Sequence, residues 1–353
     1  MSHDALVVGA GPTGLTAALT LARASRPVRV MERRDGPSPL SRAVGLLPFG
    51  MEVLDAVGAG EAVRKEAVIA RAMEVFIEAR SLGRMAVDTA ADPRKRLLVL
   101  PQDRTEAILA QCLADQGVEV EYATPLGAIE PHDDRVKVTV AGETRTYAHV
   151  LGADGARSLV RESLDIEAQG YDLDPEWSIA DVDVAAEVEP GVFRVYLLET
   201  GDTVFVIPME AHRYRVVATQ PDALALLPAP FPVTNVRREG AFTIRIAQVP
   251  TYGRGRVHLA GDAAHTHSPV GGRGMNLGIA DGYSWATHLV AGTLDEYGPE
   301  RHAVGAEVIA FTERVRKRLM QPVTWQRRIA LKALVALGGL PGMNRRFAER
   351  ILA

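Results

Sequence analysis

The sequence predicts an α/β protein in which a parallel, crossover-connected sheet opens the chain, a mainly antiparallel layer is inserted into it, and helices close it. Three observations carry this reading. The apolar run Ala5 to Val8 is too short for a helix and ends in Gly9, so it reads as a buried strand. Leu15, Ala18, Leu19, Leu21 and Ala22 then recur at near-helical spacing before a second apolar run, Val28 to Met31; this strand-turn-helix-strand order demands a parallel pair and a right-handed crossover. Alternating short strands from Ser178 to Thr219 form a block of different period, and the chain from about Gly278 onward is helical in character.

The remaining elements follow in order. Pro48 to Val57 reads as a helix stopped by Gly58. Ala72 to Asp88 and Arg96 to Leu100 read as strands flanking a turn-prone stretch at Ala90 to Pro93. A helix starting at Asp103 or Thr105 runs through Cys112 and ends near Gly117. Strands follow at Val118 to Tyr122, Val136 to Val140 and Thr144 to Val150. Turns at Pro190-Gly191 and Gly201-Asp202 divide the second strand block, and Pro228, Pro230 and Pro232 mark an irregular link. Strands resume at Phe242 to Val249 and Arg256 to Ala260, and Pro299 and Pro322 are the expected breaks in the terminal helices. A length of 353 residues fits two domains. The predicted division assigns 1–70, 102–176 and 251–353 to a Rossmann-like cofactor domain with C-terminal helices, and 71–101 and 177–250 to an inserted β-sheet substrate domain.

Composition excludes several chemistries. With 47% hydrophobic and 24% charged residues the chain is globular in type, which removes disordered, collagen-like and coiled-coil readings. Its net charge of −4 argues against nucleic acid as a partner, because sequence-independent binding needs a concentrated positive footprint. Cys112 is the only cysteine, so intramolecular disulfides, thiolate zinc sites and iron–sulfur ligation drop out, and a reducing cytoplasm is the expected compartment. Apolar Leu109 and Leu113 beside it point to a core role. No basic leader precedes the first strand, and no apolar run is long enough to span a bilayer. Near the C-terminus Trp325, Ile329, Leu334, Leu337 and Leu340 alternate with Arg327, Arg328 and Lys332. Packing on its own domain or a partner subunit is the expected use of this stretch, with a bilayer surface the alternative.

Three glycine-rich segments carry the chemistry. Gly9, Gly11 and Gly14, with Pro12 between them, give G-x-G-x-x-G between a strand and a helix; the glycines allow a tight turn, close approach of a pyrophosphate and close helix-strand packing. Glu32 stands at the end of the second strand, where a carboxylate can bind ribose hydroxyls. Gly152-Ala153-Asp154-Gly155 is a second strand-to-glycine turn. The third, Gly261-Asp262-Ala263-Ala264-His265, continues into Pro269, Gly271, Gly272, Gly274, Met275 and Asn276 at the start of a helix. A carboxylate there can hold polyol hydroxyls, and glycine-rich backbone at a helix start can approach a ring that develops negative charge. That combination suits the ribityl chain and isoalloxazine of FAD.

This triple set, in this order, resembles the class A flavoprotein aromatic hydroxylases, whose archetype is para-hydroxybenzoate hydroxylase. The run from Tyr297 through Arg301 to Gly305 is most similar to the polyketide-tailoring hydroxylases of aromatic antibiotic pathways. The resemblance implies bound FAD, transient NADPH or NADH, and transfer of oxygen from a flavin 4a-hydroperoxide to a small aromatic substrate, phenolic or polyketide-like. It places Glu32 on the adenosine ribose, Arg33 beside the adenine, and Arg42 near the pyrophosphate and the path of flavin movement. It assigns Gln102, with Arg104 as a second candidate, to the ribityl or flavin region. Asp154 belongs to the same cofactor set, and Asp262 is expected to hold ribityl hydroxyls. Pro269 would shape the oxygen-reacting face, and Gly272, Gly274, Met275 and Asn276 would meet the pyrimidine end. Because the flavin carries the chemistry, no protein nucleophile is expected; Pro269 and His265 are the only side chains nominated near the reacting centre. His265 and His267 lack further clustered ligands, so no metal is expected.

Phe193, Tyr196, Phe205, Met209, Tyr214 and Phe242 are candidates to line the substrate layer, and strand alternation leaves open which face the pocket. The link between Thr219 and Phe242 is shorter than the helical segment usual in the family, which predicts a more open or larger pocket. Larger relatives carry a thioredoxin-like C-terminal domain, and none is expected in a chain ending at Ala353. A monomer or homodimer is expected. Other readings of the same residues are a membrane-touching ubiquinone-pathway hydroxylase, a flavin-dependent reductase or oxidase, and a non-catalytic dinucleotide sensor.

Overall fold

Apolar strands buried on both faces build the first layer. In the computed structural model, which describes residues 4–38, 43–89, 92–185, 189–228 and 231–339, Ala5–Val8, Val28–Met31, His149–Gly152 and Val257–Leu259 run parallel in one six-stranded sheet. Val120–Glu121 extends it in parallel at one edge, and Gly253–Arg254 closes the other antiparallel. Val7 lies opposite Leu151 on one side and Val30 on the other. All three are fully buried, as a parallel sheet covered by helices requires. The first helix, α1 (Pro12–Arg23), starts with proline in its first turn and buries Leu15, Ala18, Leu19 and Leu21. Helices α2 (Pro48–Ala56), α3 (Gly60–Glu66), α4 (Gln102–Ala114) and α5 (Leu159–Ser163) follow. The last described helices are α6 (Gly274–Ala291), α7 (Leu294–Leu319) and α8 (Trp325–Gly338).

The second layer is a seven-stranded sheet in the order Val233–Phe242, Trp177–Val184, Arg213–Ala218, Thr203–Glu210, Val192–Leu197, Ala72–Ile77, Arg80–Ala86. Every neighbouring pair is antiparallel except Val192–Leu197 with Ala72–Ile77. Two distant segments therefore meet in one sheet. One face packs Val182, Tyr196, Val204, Val206, Tyr214 and Val216 beneath Leu224, Leu226, Leu227 and Phe231. The opposite face turns to the first layer: Phe193, Ile207 and Met209 pack with Val44, Leu97 and Val99, and Phe205 and Val217 with Val270 and Ile309.

The elements depart from the sequence reading at several points. Pro299 does not break the terminal helices, because it stands in the second turn of α7, where a missing amide forfeits a single helical hydrogen bond. Gly292, at φ +75°, makes the break instead. Ala72 to Asp88 is a hairpin, turning at Glu78 with φ +49°. The strand expected over Phe242 to Val249 is Arg245–Gln248, and the separate strand before it, Val233–Phe242, is an edge strand with mostly exposed side chains, so apolar alternation could not reveal it. Leu224, Leu226, Leu227 and Phe231 of the link between Thr219 and Val233 lie against the face turned away from the first layer.

Helix α8 packs on its own chain through Leu331 and Val335, while Trp325 and Ile329 are 69% and 60% exposed. Arg327 caps α7 by donating to the carbonyls of Arg318 and Leu319, and Arg328 pairs with Glu199 at 2.6 Å. No helix among the described residues is long and apolar enough to cross a membrane.

Candidate cofactor site

Parallel strands deliver whatever follows their C-terminal ends to one edge of the sheet, which is where ligands bind in open α/β folds. Val8, Gly152 and Leu259 end adjacent strands, and each is followed by one of the three glycine segments. The segments are in contact. A Cβ on Gly9, whose φ is +107°, would overlap the carbonyl oxygen of Ala153. One on Gly261, at φ +59°, would stand 2.6 Å from Oγ1 of Thr13 in α1. Gly14 touches the Gly9 carbonyl in the same way, which explains the close helix-strand packing. By contrast, no atom of the described residues lies within 4 Å of a Cβ built on Gly11, Gly155 or Gly272. These are open backbone positions at which a bound group can approach.

Two helix N-termini face this edge. Gly11 caps α1 and Arg273 caps α6, and among the described residues neither helix has a side-chain hydrogen bond from its cap residue. The first-turn amides are thus left for solvent or an anionic ligand. Glu32 is buried at the end of its strand, where Ala10 donates its amide to Oε2 at 2.9 Å and Arg34 donates its own to Oε1 at 3.0 Å. Burial pushes this carboxyl up, but the Arg34 guanidinium at 3.1 Å and the two amides together hold it below its ordinary value. Arg33 is exposed; its neighbour Arg34 turns inward between Glu32 and Glu106. Adjacency alone could not say which arginine does so. Arg42 lies outside the described residues.

Gln102 opens α4, accepts the Ala43 amide at 3.3 Å and donates to Glu106 at 2.9 Å. Arg104, two residues on, points to the surface and pairs with Glu66. Asp154 accepts from the Ser158 hydroxyl at 2.5 Å and the Val160 amide at 3.2 Å, and burial raises its pKa. It shapes the turn into α5. Asp262 and Pro269 are exposed on the sheet edge. Met275 is buried in the core, and the Asn276 side chain accepts from Leu47 at 2.8 Å while donating to Gly45 and Gly272, both at 2.9 Å. It straps the glycine loop to the strand Gly45–Leu46.

Beneath the third segment lies a group that sequence reasoning missed. Asp281, fully buried in α6, accepts from the Gly261 amide at 3.0 Å, His265 Nε2 at 2.6 Å and Arg301 Nε at 2.7 Å. Burial pushes the carboxyl up; His265 and Arg301 outweigh it and hold the pKa below its ordinary value. An acidic residue in an otherwise apolar helix turn is the only sequence signal. His265 is thus bound to a carboxylate inside the protein. His267 donates Nδ1–H to the Ser268 carbonyl at 2.8 Å, and burial lowers its pKa to about 4, so it is neutral.

On the seven-stranded sheet, Phe193, Phe205 and Met209 face the first layer, whereas Tyr196 and Tyr214 face the opposite core. Phe242 packs near Trp177 and Val270. The inner face also carries Arg215, buried and bidentate on Asp181 with both contacts at 2.7 Å. Among the described residues no cluster of His, Cys, Asp and Glu could hold a metal, and Cys112 is half-buried against the core.

Uncapped helix starts, open glycines at three strand ends and a buried carboxylate on the second strand define a dinucleotide-binding α/β protein of the flavin type. The chain belongs to the FAD binding domain family, whose model matches residues 2–312. It is 33% identical over 339 residues to 6-methylpretetramide 4-monooxygenase of Streptomyces rimosus, an alignment covering 87% of this chain and 60% of that relative. The chain thus spans less than two thirds of that protein. Anhydrotetracycline hydroxylase OxyS of Streptomyces rimosus superposes with a TM-score of 0.77 at 29% identity, covering all of this chain and 76% of the other. The p-nitrophenol 4-monooxygenase PnpA of Pseudomonas putida DLL-E4 shares the fold, with a TM-score of 0.86, 24% identity and coverage of 99% and 98%. The family resemblance carried by the glycine segments is therefore correct, and FAD is the cofactor.

Proposed function

We propose that the chain is an FAD-dependent monooxygenase that hydroxylates a phenolic or polyketide-like aromatic compound, with NADPH or NADH as reductant and molecular oxygen as co-substrate. The observation that carries this is the convergence of all three glycine segments at one sheet edge, opposite a largely apolar inner face of the second sheet. The named activities of the relatives support the reaction class. When bound, FAD supplies electron transfer and oxygen activation. Around it, the amides of Gly11 to Gly14 would receive the pyrophosphate, Glu32 the adenosine ribose, and Asp262 the ribityl hydroxyls. Glycines 271, 272 and 274 at the start of α6 would meet the pyrimidine end, where the helix field favours negative charge. Phe193, Phe205, Ile207 and Met209 would exclude water from an aromatic ring lying against the flavin. His265, engaged by Asp281, has no part in proton transfer in this reading. A single half-buried thiol suits a reducing cytoplasm, and the chain would act as a monomer or homodimer without nucleic acid or membrane.

The test is a screen of phenols and polyketide aromatics for stimulated NADPH and NADH consumption by the FAD-loaded protein under heavy-isotope oxygen. Label in the product hydroxyl is expected. Substrate turnover without label would replace the proposal by a reductase or oxidase reading; FAD binding with no stimulated consumption would favour a sensor.

A further inference from the structure

We propose that Asp281 is the positioning residue that fixes the ribityl-binding turn for FAD, a role that rests on the cofactor reading above. Its carboxylate sits one layer below the site and gathers three donors, two from the ends of one turn and one from a neighbouring helix. The Gly261 amide begins the turn bearing Asp262, His265 ends it, and Arg301 comes from α7. Asp281 itself belongs to α6, whose first turn carries Gly274 to Asn276. One buried anion therefore ties the turn for the polyol to the helix start for the pyrimidine ring, and sets the spacing between the two ends of the flavin.

The two oxygens divide the work. Oδ1 accepts from Arg301, and Oδ2 is shared by Gly261 and His265. Neighbouring groups brace the same turn: Tyr297 of α7 donates to the Leu259 carbonyl at 2.8 Å, just before Gly261, and the Tyr252 ring stacks on His265. Asparagine at 281 would keep an oxygen for Arg301, and its amide could donate to His265 Nε2 in the other tautomer. It would then present N–H to the Gly261 N–H, so the fold survives while the turn loses its anchor.

The experiment titrates apoprotein with FAD, following flavin fluorescence, beside thermal melting of the apoprotein. Wild type is compared with Asp281→Asn, His265→Gln and, as a control for buried-charge loss elsewhere, Asp181→Asn. The role predicts FAD affinity about tenfold or more weaker in Asp281→Asn, a smaller loss in His265→Gln, and affinity within about twofold of wild type in Asp181→Asn despite its lowered melting temperature. Unchanged affinity in folded Asp281→Asn overturns the role, as does an equal loss in Asp181→Asn. Should Asp281→Asn not fold, unchanged affinity in His265→Gln overturns it. Wild type that binds no FAD would overturn the cofactor reading itself, whereas tight wild-type binding with unaltered variants overturns this role alone.

Discussion

Both layers bury a carboxylate with an arginine, and they use the pair differently. In the seven-stranded sheet, Asp181 and Arg215 face each other across one antiparallel register pair, so the ion pair staples two neighbouring strands. In the cofactor layer, Asp281 and Arg301 are twenty residues apart on successive helices, and the same carboxylate also holds Gly261 and His265. A local staple contributes to the stability of its sheet. A shared anion fixes the relative position of elements that a ligand must bridge. The glycines repeat the contrast: those at Gly9, Gly14 and Gly261 are demanded by backbone or side-chain contact, while Gly11, Gly155 and Gly272 leave room for something else.

The sharpest break of this comparison is Gly14→Val, which drives side-chain atoms into the Gly9 carbonyl at the centre of the cofactor layer. No cooperatively melting protein is expected, and a well-folded variant in calorimetry would show that the close packing is dispensable. Next in size is Asp181→Ala, which takes the bidentate carboxylate from the buried Arg215 guanidinium. It should cost about 3–5 kcal/mol in denaturant unfolding while FAD affinity stays unchanged. A loss of affinity there would erase the distinction between the layers.

Acid comes third and tests the cofactor layer. His258 and His267 are held neutral by burial, with pKa values of about 4 against an ordinary 6.5. Their depressed values mean that this stability is present above about pH 6.5 and is lost as pH falls toward 4. Melting temperature should decline over that window, and His267→Asn should flatten part of the slope. A fourth test, Asp262→Ala, removes an exposed carboxylate. FAD affinity should fall by about 1–3 kcal/mol in the fluorescence titration with little change in apoprotein melting. The smallest effect is expected from Arg104→Ala, which breaks one surface pair with Glu66 worth at most about 1 kcal/mol. A clear drop in FAD affinity would instead return Arg104 to the cofactor set.

Much of the cofactor layer was legible in the sequence because its signals are local. A strand, a glycine turn and a helix follow one another over a short run of chain, and both the G-x-G-x-x-G run and Glu32 stand where the structure has a strand end. The seven-stranded layer was legible as strands and less so as faces. Tyr196 and Phe205 are both aromatic and both on strands, yet of the two only Phe205 faces inward, because which side is inside depends on what packs there. The edge strand Val233–Phe242 escaped for the same reason, since neither of its faces is fully covered.

The sequence by itself determined that strand ends would meet glycine turns, that one of the turns opens a dinucleotide-binding helix, and that a single cysteine leaves no thiolate cluster to bind a metal. These follow from steric and polar requirements that act over a few residues, and from composition. Only the tertiary structure decided that Gly9 would touch Ala153, that Gly261 would touch Thr13, that Arg34 and not Arg33 would meet Glu32, and that Asp281 would collect Gly261, His265 and Arg301. Most of those contacts join segments far apart in the chain. They exist because parallel strands bring their ends to a common edge, where packing alone selects which side chains are buried together.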